Sequence, residues 1–532
     1  MNRNIVIGNA WPYANSSLHL GHIAGLISGD ILARYFRLTG DNVMFVSGSD
    51  CHGTPITERA RKEGKNPKDI ADYYDNEFRT LFNKMNFSYD LFSNTDTEYH
   101  KEKVKKLFRK LYDNGYIYEK IEPQCFCGKC NKFLADREVI LTCPECGEET
   151  KGDQCDNCLH VPTSEELIGG KCIVCGSKTI QKDNKILYLK LPEFQKEIEE
   201  HTKKVEGEWR INARNETAKY LKQGLVERAV TRDLNWGVEI PVDGYEDKRM
   251  YVWIDAVLGY LTDTMQVCEE RGLNWEDFWK EGHNNKIYMC HGKDNIVFHS
   301  IILNALLLGQ RDNYHLVDTI VSTEYLNYND QKFSKSKKIG MTALEALDIY
   351  PVDSLRFHLV SNGPEKKDTN FTPEDFVATH NGELLNKFGN LVNRTLKFKN
   401  LDKIKVGVID PEIKKKIDEI YDEVGGLIER LEFREATAKI MNFVELANKY
   451  YDTREPWKQR KENEEEFYNT IFTCANIIAN LSNLFEPIMP QTSNSIRKYL
   501  DLSEPTWKPI YLENEIDLTN KEIVPLFERL ML

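Results

Sequence analysis

Cysteine spacing gives the clearest indication of metal chemistry in this chain. Of 13 cysteines, eight form Cys-x-x-Cys pairs, each on a tight turn that contains Gly or Asn. The paired residues are Cys127 and Cys130, Cys143 and Cys146, Cys155 and Cys158, and Cys172 and Cys175. Such a turn directs two thiolates toward one point, and a structural Zn²⁺ takes four of these ligands in a tetrahedron. The pairs therefore predict two closed Cys₄ zinc sites that are structural rather than catalytic.

The sequence leaves the pairing of these four knuckles open. Three pairings are available, and the short gap of 8 residues between the second and third pairs favours a nested arrangement. In it, the pairs within 143–158 hold one ion and the outer pairs hold the other, with Cys125 and His160 as further ligands nearby. Disulfides are the alternative, yet nothing in the chain indicates secretion, and cytosolic thiols stay reduced.

A different group of residues is suited to binding phosphate. His19, Gly21 and His22 lie in the sequence His-Leu-Gly-His, between a short apolar segment and an apolar pattern with helical spacing. A helix that begins there offers unpaired N–H groups and the positive end of its dipole, and Gly21 lets a nucleotide approach the backbone. Taken alone, a histidine pair at a helix start is more often a cap than a catalyst.

A basic loop lies far along the chain from these histidines. Its sequence, Lys332-Phe333-Ser334-Lys335-Ser336, carries ammonium and hydroxyl groups that are suited to wrapping a triphosphate. Taken alone, such a loop is more often a solvated basic segment.

The elements that position the histidines have the order of a nucleotide-binding fold. Residues 4–10 predict a buried strand, the following apolar pattern predicts a helix that ends at Gly40, and 42–50 predicts a second strand with polar residues at its end. Helical stretches follow to about residue 114. This strand–loop–helix–strand order is typical of a doubly wound α/β sheet.

The knuckle segment interrupts this pattern from about 116 to 225, after which the α/β pattern resumes. We expect strands over 250–260 and 285–295, and apolar residues near 317–321 lead into the basic loop. From about 376 onward strands vanish, and helical spacing broken at Asp410-Pro411 and Glu455-Pro456 predicts an α-helical bundle.

Composition places the chain among ordinary globular proteins. Its 532 residues are 41% hydrophobic and 29% charged, which fits several domains rather than one. No apolar segment reaches the roughly 18–20 residues of a membrane span, and no signal peptide is apparent, so we expect a cytoplasmic protein. The net charge of −13 excludes a generally basic surface and limits nucleic-acid contacts to local patches. One basic stripe is formed by Lys387, Arg394, Lys397, Lys399, Lys403 and Lys405.

The histidine motif and the basic loop are more specific in combination than either is alone. HLGH near the N-terminus and KFSKS some 310 residues later resemble the HIGH and KMSKS signatures of class I aminoacyl-tRNA synthetases. The knuckle insertion and the helical bundle narrow the resemblance to the methionyl-tRNA synthetases, in the type with a zinc-knuckle insertion. Further segments resemble that family's catalytic blocks: AWPYANSSLHLGH, GSDCHGTPI, TRDLNWGVEIP, YVWIDAVLGY and GKDNIVFHS. The resemblance covers essentially the whole chain; Phe333 departs from it, since the family usually has Met there.

The resemblance implies a fold, partners and a domain order. The expected fold is α/β: a Rossmann-like class I catalytic domain with an inserted zinc-knuckle domain and a C-terminal α-helical bundle. Its halves are expected at 1–115 and 226–325, with the insertion at 116–225, a KMSKS-loop and stem-contact region at 326–375 and the anticodon-binding bundle at 376–532. The expected partners are ATP with Mg²⁺, L-methionine and tRNA(Met). The chain carries no appended C-terminal dimerisation domain, so a monomer without membrane contact is expected.

The resemblance also implies roles for individual residues. The expected catalytic residues are His19, His22, Lys332 and Lys335, and Gly21, Ser334 and Ser336 join them in binding ATP. Family positions for binding methionine are occupied by Ala10, Trp11, Tyr13, Asp50, Trp253, Ala256, Tyr260, Asp294 and His299. Arg232 occupies a further active-site position with no separable role. Anticodon-reading positions are occupied by Asn390, Arg394 and Trp457.

Three other functions are compatible with part of the sequence. A class I synthetase for valine, isoleucine or leucine would carry an editing domain in the insertion, and one for cysteine would bring zinc into the amino-acid pocket. A small-cofactor adenylyltransferase shares the HxGH helix start but lacks a bundle of this size. A tRNA-binding module without catalysis would not need both signatures. ATP–pyrophosphate exchange with each amino acid separates these readings.

Overall fold

The computed structural model describes most of the chain. The described residues are 2–134, 138–152, 155, 157–158, 160, 162–163, 165–333 and 339–531. The first elements are β1 (Asn4–Asn9), α1 (Leu20–Thr39), β2 (Asn42–Ser49), α2 (Thr54–Glu63), α3 (Pro67–Lys84), β3 (Leu91–Asn94) and α4 (Glu98–Asp113). They are followed by β4 (Ile117–Cys127), β5 (Lys132–Phe133), β6 (Val139–Thr142), β7 (Glu149–Lys151), β8 (Lys171–Cys172), β9 (Ile180–Leu189), α5 (Gln195–Val205) and α6 (Ile211–Gln223).

The second half of the chain becomes increasingly helical. Its first part holds β10 (Arg228–Ala229), β11 (Thr231–Arg232), β12 (Arg249–Met250), α7 (Val252–Arg271), α8 (Glu276–Trp279), β13 (Asn285–Gly292), α9 (Leu303–Gly309), β14 (Thr319–Thr323) and β15 (Leu326–Tyr328). Its last part holds α10 (Ala343–Ile349), α11 (Val352–Ser361), β16 (Thr369–Phe371), α12 (Pro373–Thr379), α13 (Asn390–Leu396), β17 (Lys403–Ile404), α14 (Pro411–Glu429), α15 (Phe433–Arg454), α16 (Pro456–Glu462), α17 (Glu464–Phe485), α18 (Pro490–Tyr499) and β18 (Ile516–Asp517). Among the described residues, no helix combines the length and apolar character needed to cross a membrane.

The central sheet is parallel and has the order β14-β13-β1-β2-β3. The chain therefore starts in the middle, winds outward through β2 and β3, and later returns to the other side of β1. This order confirms the predicted doubly wound architecture. Ligands in such sheets bind beyond the carboxyl ends of the strands at the point where the winding reverses, which here lies between β1 and β13.

The helix that follows β1 begins and ends where the sequence predicts. His19 is its N-cap, and Gly40 closes it with φ of 91°, a left-handed conformation that glycine adopts without strain. Its residues from Ile23 to Ala33 are buried against the sheet and the C-terminal helices. The helix start therefore lies at the reversal point of the sheet.

The strand predicted over 250–260 is wrong, because the chain forms the helix α7 there after the short strand β12. Almost every α7 residue from Val252 to Cys268 is buried. A helix that is covered on all sides carries a continuous apolar run, and such a run has no period that separates it from a buried strand. Two smaller differences are β3, which interrupts the expected helical stretch before residue 114, and the short pair β17–β18 beyond residue 376.

The inserted segment consists of small antiparallel sheets. One has the order β10-β9-β4-β5 and another β7-β6-β8. The buried apolar cluster around the cysteines is small; its members are Cys125, Cys127, Leu134, Val139, Leu141, Leu167 and Cys172. A cluster of this size offers little hydrophobic stabilisation, which is why metal-ligating cysteines are expected to hold such a segment together.

The C-terminal helices pack against α1 through buried charges. Arg356 of α11 is fully buried and its guanidinium donates to Asp30 of α1 over 2.6 Å. The same guanidinium donates to the carbonyl oxygens of Met85, Pro487 and Ile488. These bonds join α11 to three other stretches that lie far apart in sequence, and they fix how the helical part meets the helix that carries His19.

Candidate active site

The start of α1 is closed by its own histidines. His19 Nδ1 accepts the N–H of Gly21 over 3.1 Å, and His22 Nδ1 accepts the N–H of His19 over 3.1 Å. The two imidazole rings lie 3.8 Å apart. Because both Nδ1 atoms accept, each neutral ring carries its proton on Nε2. The histidines are therefore caps of the helix, and both also line a cavity.

The first half of the basic loop contacts this helix start directly. The Phe333 ring stacks on His19 with centroids 4.3 Å apart and an interplanar angle of 1°. Lys332 Nζ lies 4.7 Å from the centre of the Tyr325 ring, and the Tyr325 hydroxyl donates to Asp294 over 2.6 Å. The structure thus brings the two signatures together through Phe333, the residue that departs from the family pattern. The remaining signature residues lie outside the described part of the chain: Ser334, Lys335 and Ser336.

A cavity of about 590 Å³ lies beyond the carboxyl ends of β1, β13 and β14. The predicted residues among those that line it are Ala10, Trp11, Tyr13, His19, Gly21, His22, Trp253, Asp294 and Lys332. Positions expected for the nucleotide and for the amino acid therefore meet in one space. The other expected amino-acid residues, Asp50, Ala256, Tyr260 and His299, are buried around Trp11 and Trp253 rather than exposed to this cavity.

Trp11 is held by two glycines. A Cβ atom at Gly48 would come within 2.7 Å of the Trp11 ring, and one at Gly259 within 2.5 Å, so neither position has room for a side chain. Tyr260 meets the same ring edge-on at 6.3 Å between centroids. These contacts fix the plane of the indole that forms one wall of the site.

Tyr260 and His299 form an uncharged polar pair. His299 Nδ1 donates to the carbonyl oxygen of Asn295 over 2.9 Å, so its Nε2 accepts the Tyr260 hydroxyl over 2.8 Å. Burial lowers the pKa of His299 to about 4 and raises the pKa of Tyr260. Near neutral pH both groups are therefore neutral, which suits a polarizable ligand without charge.

Trp253 stands between aromatic neighbours. Its ring stacks on Phe298 at 3.8 Å with an interplanar angle of 7°, and Tyr13 approaches it edge-on at 6.0 Å. Ala256, three residues further along α7, is buried on the same helix face. Phe298 was missed by the sequence analysis, although it directly precedes His299.

Buried acids surround His52 behind the cavity. His52 Nδ1 lies 2.9 Å from Asp255 and its Nε2 lies 3.5 Å from Asp96, while the backbone N–H of His52 donates to the carboxylate of Asp50 over 3.2 Å. Burial opposes a charge on His52, but the bonds with Asp255 and Asp96 outweigh it and raise the pKa of His52 to about 9. Burial and the nearby Asp255 raise the pKa of Asp50. The imidazolium of His52 balances an acidic cluster that would otherwise repel itself.

The sequence analysis missed His52, Asp96 and Asp255. His52 follows Asp50 by two residues at the same strand end, and Asp255 lies two residues after Trp253. Their closeness in sequence to expected site residues is the feature from which these two could have been predicted. Arg232 lies near this region with its guanidinium 3.9 Å above the Tyr251 ring, and it donates to the carbonyl oxygen of Thr231 over 2.8 Å.

The paired cysteines form clusters with the nested arrangement. In each cluster four Sγ atoms lie within 4.8 Å of one another, and among the described residues the clusters are Cys127, Cys130, Cys172 and Cys175, and Cys143, Cys146, Cys155 and Cys158. Sulfur–sulfur distances of 3.4 to 3.9 Å occur across the pairs. Thiolates bound to one Zn²⁺ at about 2.3 Å in a tetrahedron are roughly 3.8 Å apart, so both clusters fit zinc.

The spare ligands near the knuckles have other partners. Cys125 Sγ contacts the carbonyl oxygen of Leu167 at 3.4 Å, and His160 Nε2 lies 3.1 Å from Glu166. Neither residue belongs to a cysteine cluster. Each cluster is therefore complete with four thiolates.

Two of the expected anticodon residues, Arg394 and Trp457, lie beside one tyrosine. The Arg394 guanidinium lies 4.1 Å above the Tyr451 ring and pairs with Asp452 at 2.6 Å. Trp457 lies 6.2 Å from Tyr451, and 46% of its surface is exposed. Asn390 is exposed one turn before Arg394 on α13. An exposed indole beside a paired arginine is a surface on which an unstacked base can lie; Tyr451 was not predicted.

Comparisons with known proteins agree with this geometry. A family model described as "tRNA synthetases class I (M)" matches residues 5–396, and one described as "Anticodon binding domain of methionyl tRNA ligase" matches residues 404–520. The chain is 45% identical over 530 residues to "Methionine--tRNA ligase 1" of Alkaliphilus oremlandii, covering 99% of this chain and 97% of that protein. It is 45% identical over 535 residues to "Methionine--tRNA ligase" of Bacillus mycoides, with the same coverage.

Solved structures show the same fold. The crystal structure of Mycobacterium tuberculosis methionyl-tRNA synthetase bound by methionyl-adenylate matches with a TM-score of 0.80 and 22% sequence identity. The match covers 99% of this chain and 100% of that chain.

Proposed function

The chain belongs to the methionyl-tRNA synthetase family of class I, and from this premise we propose how its own residues divide the work. The activity is that of a methionine–tRNA ligase. L-Methionine and ATP form methionyl-adenylate and pyrophosphate, and the methionyl group then passes to the terminal adenosine of tRNA(Met) for initiation and elongation. The observation that carries our assignment of roles is the single cavity that joins the start of α1 to the aromatic pocket.

The nucleotide lies at the start of α1 in this proposal. A carboxylate oxygen of methionine attacks the α-phosphorus of ATP, and the bond to pyrophosphate breaks. Nε2–H groups of His19 and His22 donate to phosphate oxygens, and Gly21 leaves room for the nucleotide. Charge that develops on the phosphates is stabilised by the helix dipole and by these fixed donors rather than by a covalent intermediate. ATP arrives as its Mg²⁺ complex, which supplies further neutralisation of the phosphates.

The basic loop completes the phosphate site. Lys332 lies at its described end, held over the Tyr325 ring, while Lys335, Ser334 and Ser336 are assigned from the family signature. We propose that the two lysines contact the β- and γ-phosphates as pyrophosphate leaves. The stacking of Phe333 on His19 supports this role, because it ties the loop to the helix start where the α-phosphate lies.

The amino acid lies between the aromatic walls. Trp11, Tyr13 and Trp253 surround the thioether, and the neutral Tyr260–His299 pair behind these rings adds no charge to its surroundings. Ala10 and Ala256 leave room for the chain. Asp50 is the anion for the substrate ammonium, and its raised pKa favours this partner, because binding a cation beside a buried carboxylate restores the charge that burial disfavours. Asp294 closes the side toward the nucleotide.

The clusters of cysteines are proposed to hold two structural Zn²⁺ ions in the insertion. Asn390, Arg394 and Trp457 are proposed to read the CAU anticodon. Because one chain supplies both the cysteine clusters and the anticodon-reading residues, we propose that the protein acts as a monomer. We also propose that it acts in the cytoplasm, where its thiols stay reduced. The proposed domain bounds are 1–115, 116–225, 226–325, 326–375 and 376–532.

Lys335 provides the test of the phosphate site. If Lys335 stabilises the transition state more than bound ATP, Lys335→Ala lowers methionine-dependent ATP–pyrophosphate exchange by about 10²–10³-fold with little change in the KM for ATP. Lys338→Ala, just beyond the signature, is the matched control and keeps the rate. Near-normal exchange by the Lys335 variant would overturn the proposed role of this loop.

A further inference from the structure

Three acids meet behind the aromatic walls of the proposed amino-acid pocket. Asp50 directly follows β2, Asp255 lies in the first turn of α7, and Asp96 lies just after β3. Asp50 and Asp255 are fully buried, and His52 lies among all three acids. A buried carboxylate is ionised only where a cation or hydrogen-bond donors compensate its charge, so the positions of the cations decide which of these acids carries a charge.

Asp96 has cations of its own. Lys101 Nζ lies 2.6 Å from this carboxylate, and Lys68 Nζ lies 3.3 Å from it. Burial opposes the charge on Asp96, but the hydrogen bonds from His52 and Lys101 outweigh it and lower the pKa of Asp96. The charge of Asp96 is therefore balanced from α3 and α4, without any need for the substrate.

Asp50 and Asp255 have only one cation between them. His52 Nδ1 bonds one oxygen of Asp255 over 2.9 Å, whereas Asp50 receives only the backbone N–H of that histidine, over 3.2 Å. Among the described residues Asp50 forms no ion pair, and Oδ1 of Asp255 is buried without a hydrogen-bond partner. The Arg232 guanidinium lies over the Tyr251 ring and donates to backbone carbonyl oxygens instead. Two buried carboxylates thus share a single imidazolium.

The other titratable side chains that interact with Asp50 carry no charge near neutral pH. They are Tyr13, Cys51 and Tyr260. Burial is the largest influence on each of these groups, and it raises the pKa of all three. They supply neither a cation nor a further anion, so the charge of this group depends on the two acids and His52 alone.

We propose that Asp50 and Asp255 hold one proton between them in the free enzyme, and that the ammonium group of methionine displaces this proton to solvent. The inference rests on the proposed function, which places the ammonium beside Asp50. Two carboxylates and one imidazolium would leave a buried net charge of −1. The shared proton neutralises that charge before the substrate arrives, and the ammonium neutralises it afterwards. Buffer accepts the released proton, and no covalent bond of methionine changes.

This exchange links methionine binding to pH. At low pH the pair holds its proton firmly and the ammonium must compete with it, so binding is weakest there. Affinity should increase as pH rises, by about tenfold for each pH unit over which a whole proton is released. A pair that is fully ionised in the free enzyme would instead bind methionine with a constant affinity over this range.

Isothermal titration calorimetry of the full chain with L-methionine measures the released proton. Titrations at pH 6.0 and 7.5 are carried out in phosphate and in imidazole, whose ionisation enthalpies differ, and the dependence of the observed heat on the buffer gives the number of protons released. We expect net release at pH 6.0 and a lower dissociation constant at pH 7.5. L-Methioninol, which has the ammonium but no carboxylate, should release protons in the same way.

Two variants of α7 locate the source of the proton. Asp255→Asn removes one negative charge and keeps the size of the side chain, so His52 then balances Asp50 alone and the release should be lost. Asp263→Asn is the matched control, because Asp263 is a buried acid of the same helix without a bond to His52. It should release protons as the wild type does.

Each outcome decides. Release by the wild type with both ligands, together with its loss in Asp255→Asn, supports the proposal. Binding of methionine by the wild type without net release at pH 6.0 would overturn it, and so would undiminished release by Asp255→Asn. If that variant does not bind methionine, the wild-type titrations decide alone. Absence of methionine binding to the folded wild type would instead overturn the proposed function.

Discussion

At the residue scale, we expect neutral groups to select the side chain of methionine and charged groups to bind its ammonium. The imidazole of His299 is kept neutral by burial, and its Nδ1–H is committed to a backbone carbonyl, so Tyr260 must donate to Nε2. His52 has the opposite behaviour, since neighbouring carboxylates keep it protonated. One histidine therefore stays uncharged beside the aromatic walls, and the other is the cation among the buried acids that include Asp50, the residue that we assign to the ammonium.

The charge of His52 predicts a pH-dependent contribution to stability. Its pKa rises from an unfolded value near 6.5 to about 9 on folding. A raised pKa means that the stabilisation is fully present below pH 6.5, falls between pH 6.5 and 9, and is absent above that range. One pKa unit corresponds to about 1.4 kcal/mol. The difference in free energy of unfolding between the wild type and His52→Gln should therefore be about 3 kcal/mol larger at pH 6 than at pH 9.5.

Chemical denaturation of both proteins at the two pH values measures this difference. His283→Gln, which removes a half-exposed imidazole after α8, serves as the control for the substitution itself. A difference between wild type and His52→Gln that stays constant with pH would show that His52 is not charged by its acidic neighbours.

At the element scale, α7 and the knuckles show what sequence patterns can predict. The first strands and α1 were predicted because Gly40 and polar strand ends mark their limits. The pattern over 250–260 wrongly predicts a strand, because the apolar residues of a helix that is covered on all sides show no helical period. Contacts such as Tyr260–His299 or His52–Asp255 join residues 39 and 203 positions apart, and no local pattern encodes them. The residue types of the site were predictable through family resemblance, whereas their partners required the fold.

The knuckles provide a prediction about metal content. The purified protein should contain two zinc ions per chain, and replacing both Cys143 and Cys146 with Ser should release one, because two of four ligands in one cluster are lost. Elemental analysis after dialysis measures the content. Cys125→Ser is the matched control, since this buried cysteine lies beside the other cluster without belonging to it, and it should retain both ions. A single zinc in the wild type would contradict the account of one of the clusters.

At the scale of the whole molecule, buried ion pairs join the two ends of the chain. Asp30 of α1 accepts Arg356 and Arg34, Arg34 also contacts Glu486 at 3.1 Å, and Glu486 contacts Arg497 at 2.6 Å. Buried charges tolerate few geometries, because each must keep its partner. This network therefore holds the C-terminal helices at a fixed orientation on the helix that starts at the active site, as a tRNA spanning both ends requires.

A substitution far from the active site tests this division of labour. Trp457→Ala should leave ATP–pyrophosphate exchange nearly intact and weaken charging of tRNA by about 5- to 150-fold, because stacking of one base contributes about 1–3 kcal/mol. Comparison of a CAU tRNA with an altered anticodon, in wild type and variant, measures the effect. The 46% exposure of Trp457 argues against a role in the core. Equal charging of both tRNAs by the wild type, or a loss in the variant that follows thermal unfolding, would contradict anticodon reading at this position.

The most direct test of the central claim is ATP–pyrophosphate exchange by the purified chain with each amino acid in turn. The neutral Tyr260–His299 pair, the aromatic walls and the phosphate site at the start of α1 predict rapid exchange with methionine and far slower exchange with every other amino acid. Faster exchange with another amino acid, or no exchange with methionine by the folded, zinc-loaded protein, would contradict the account.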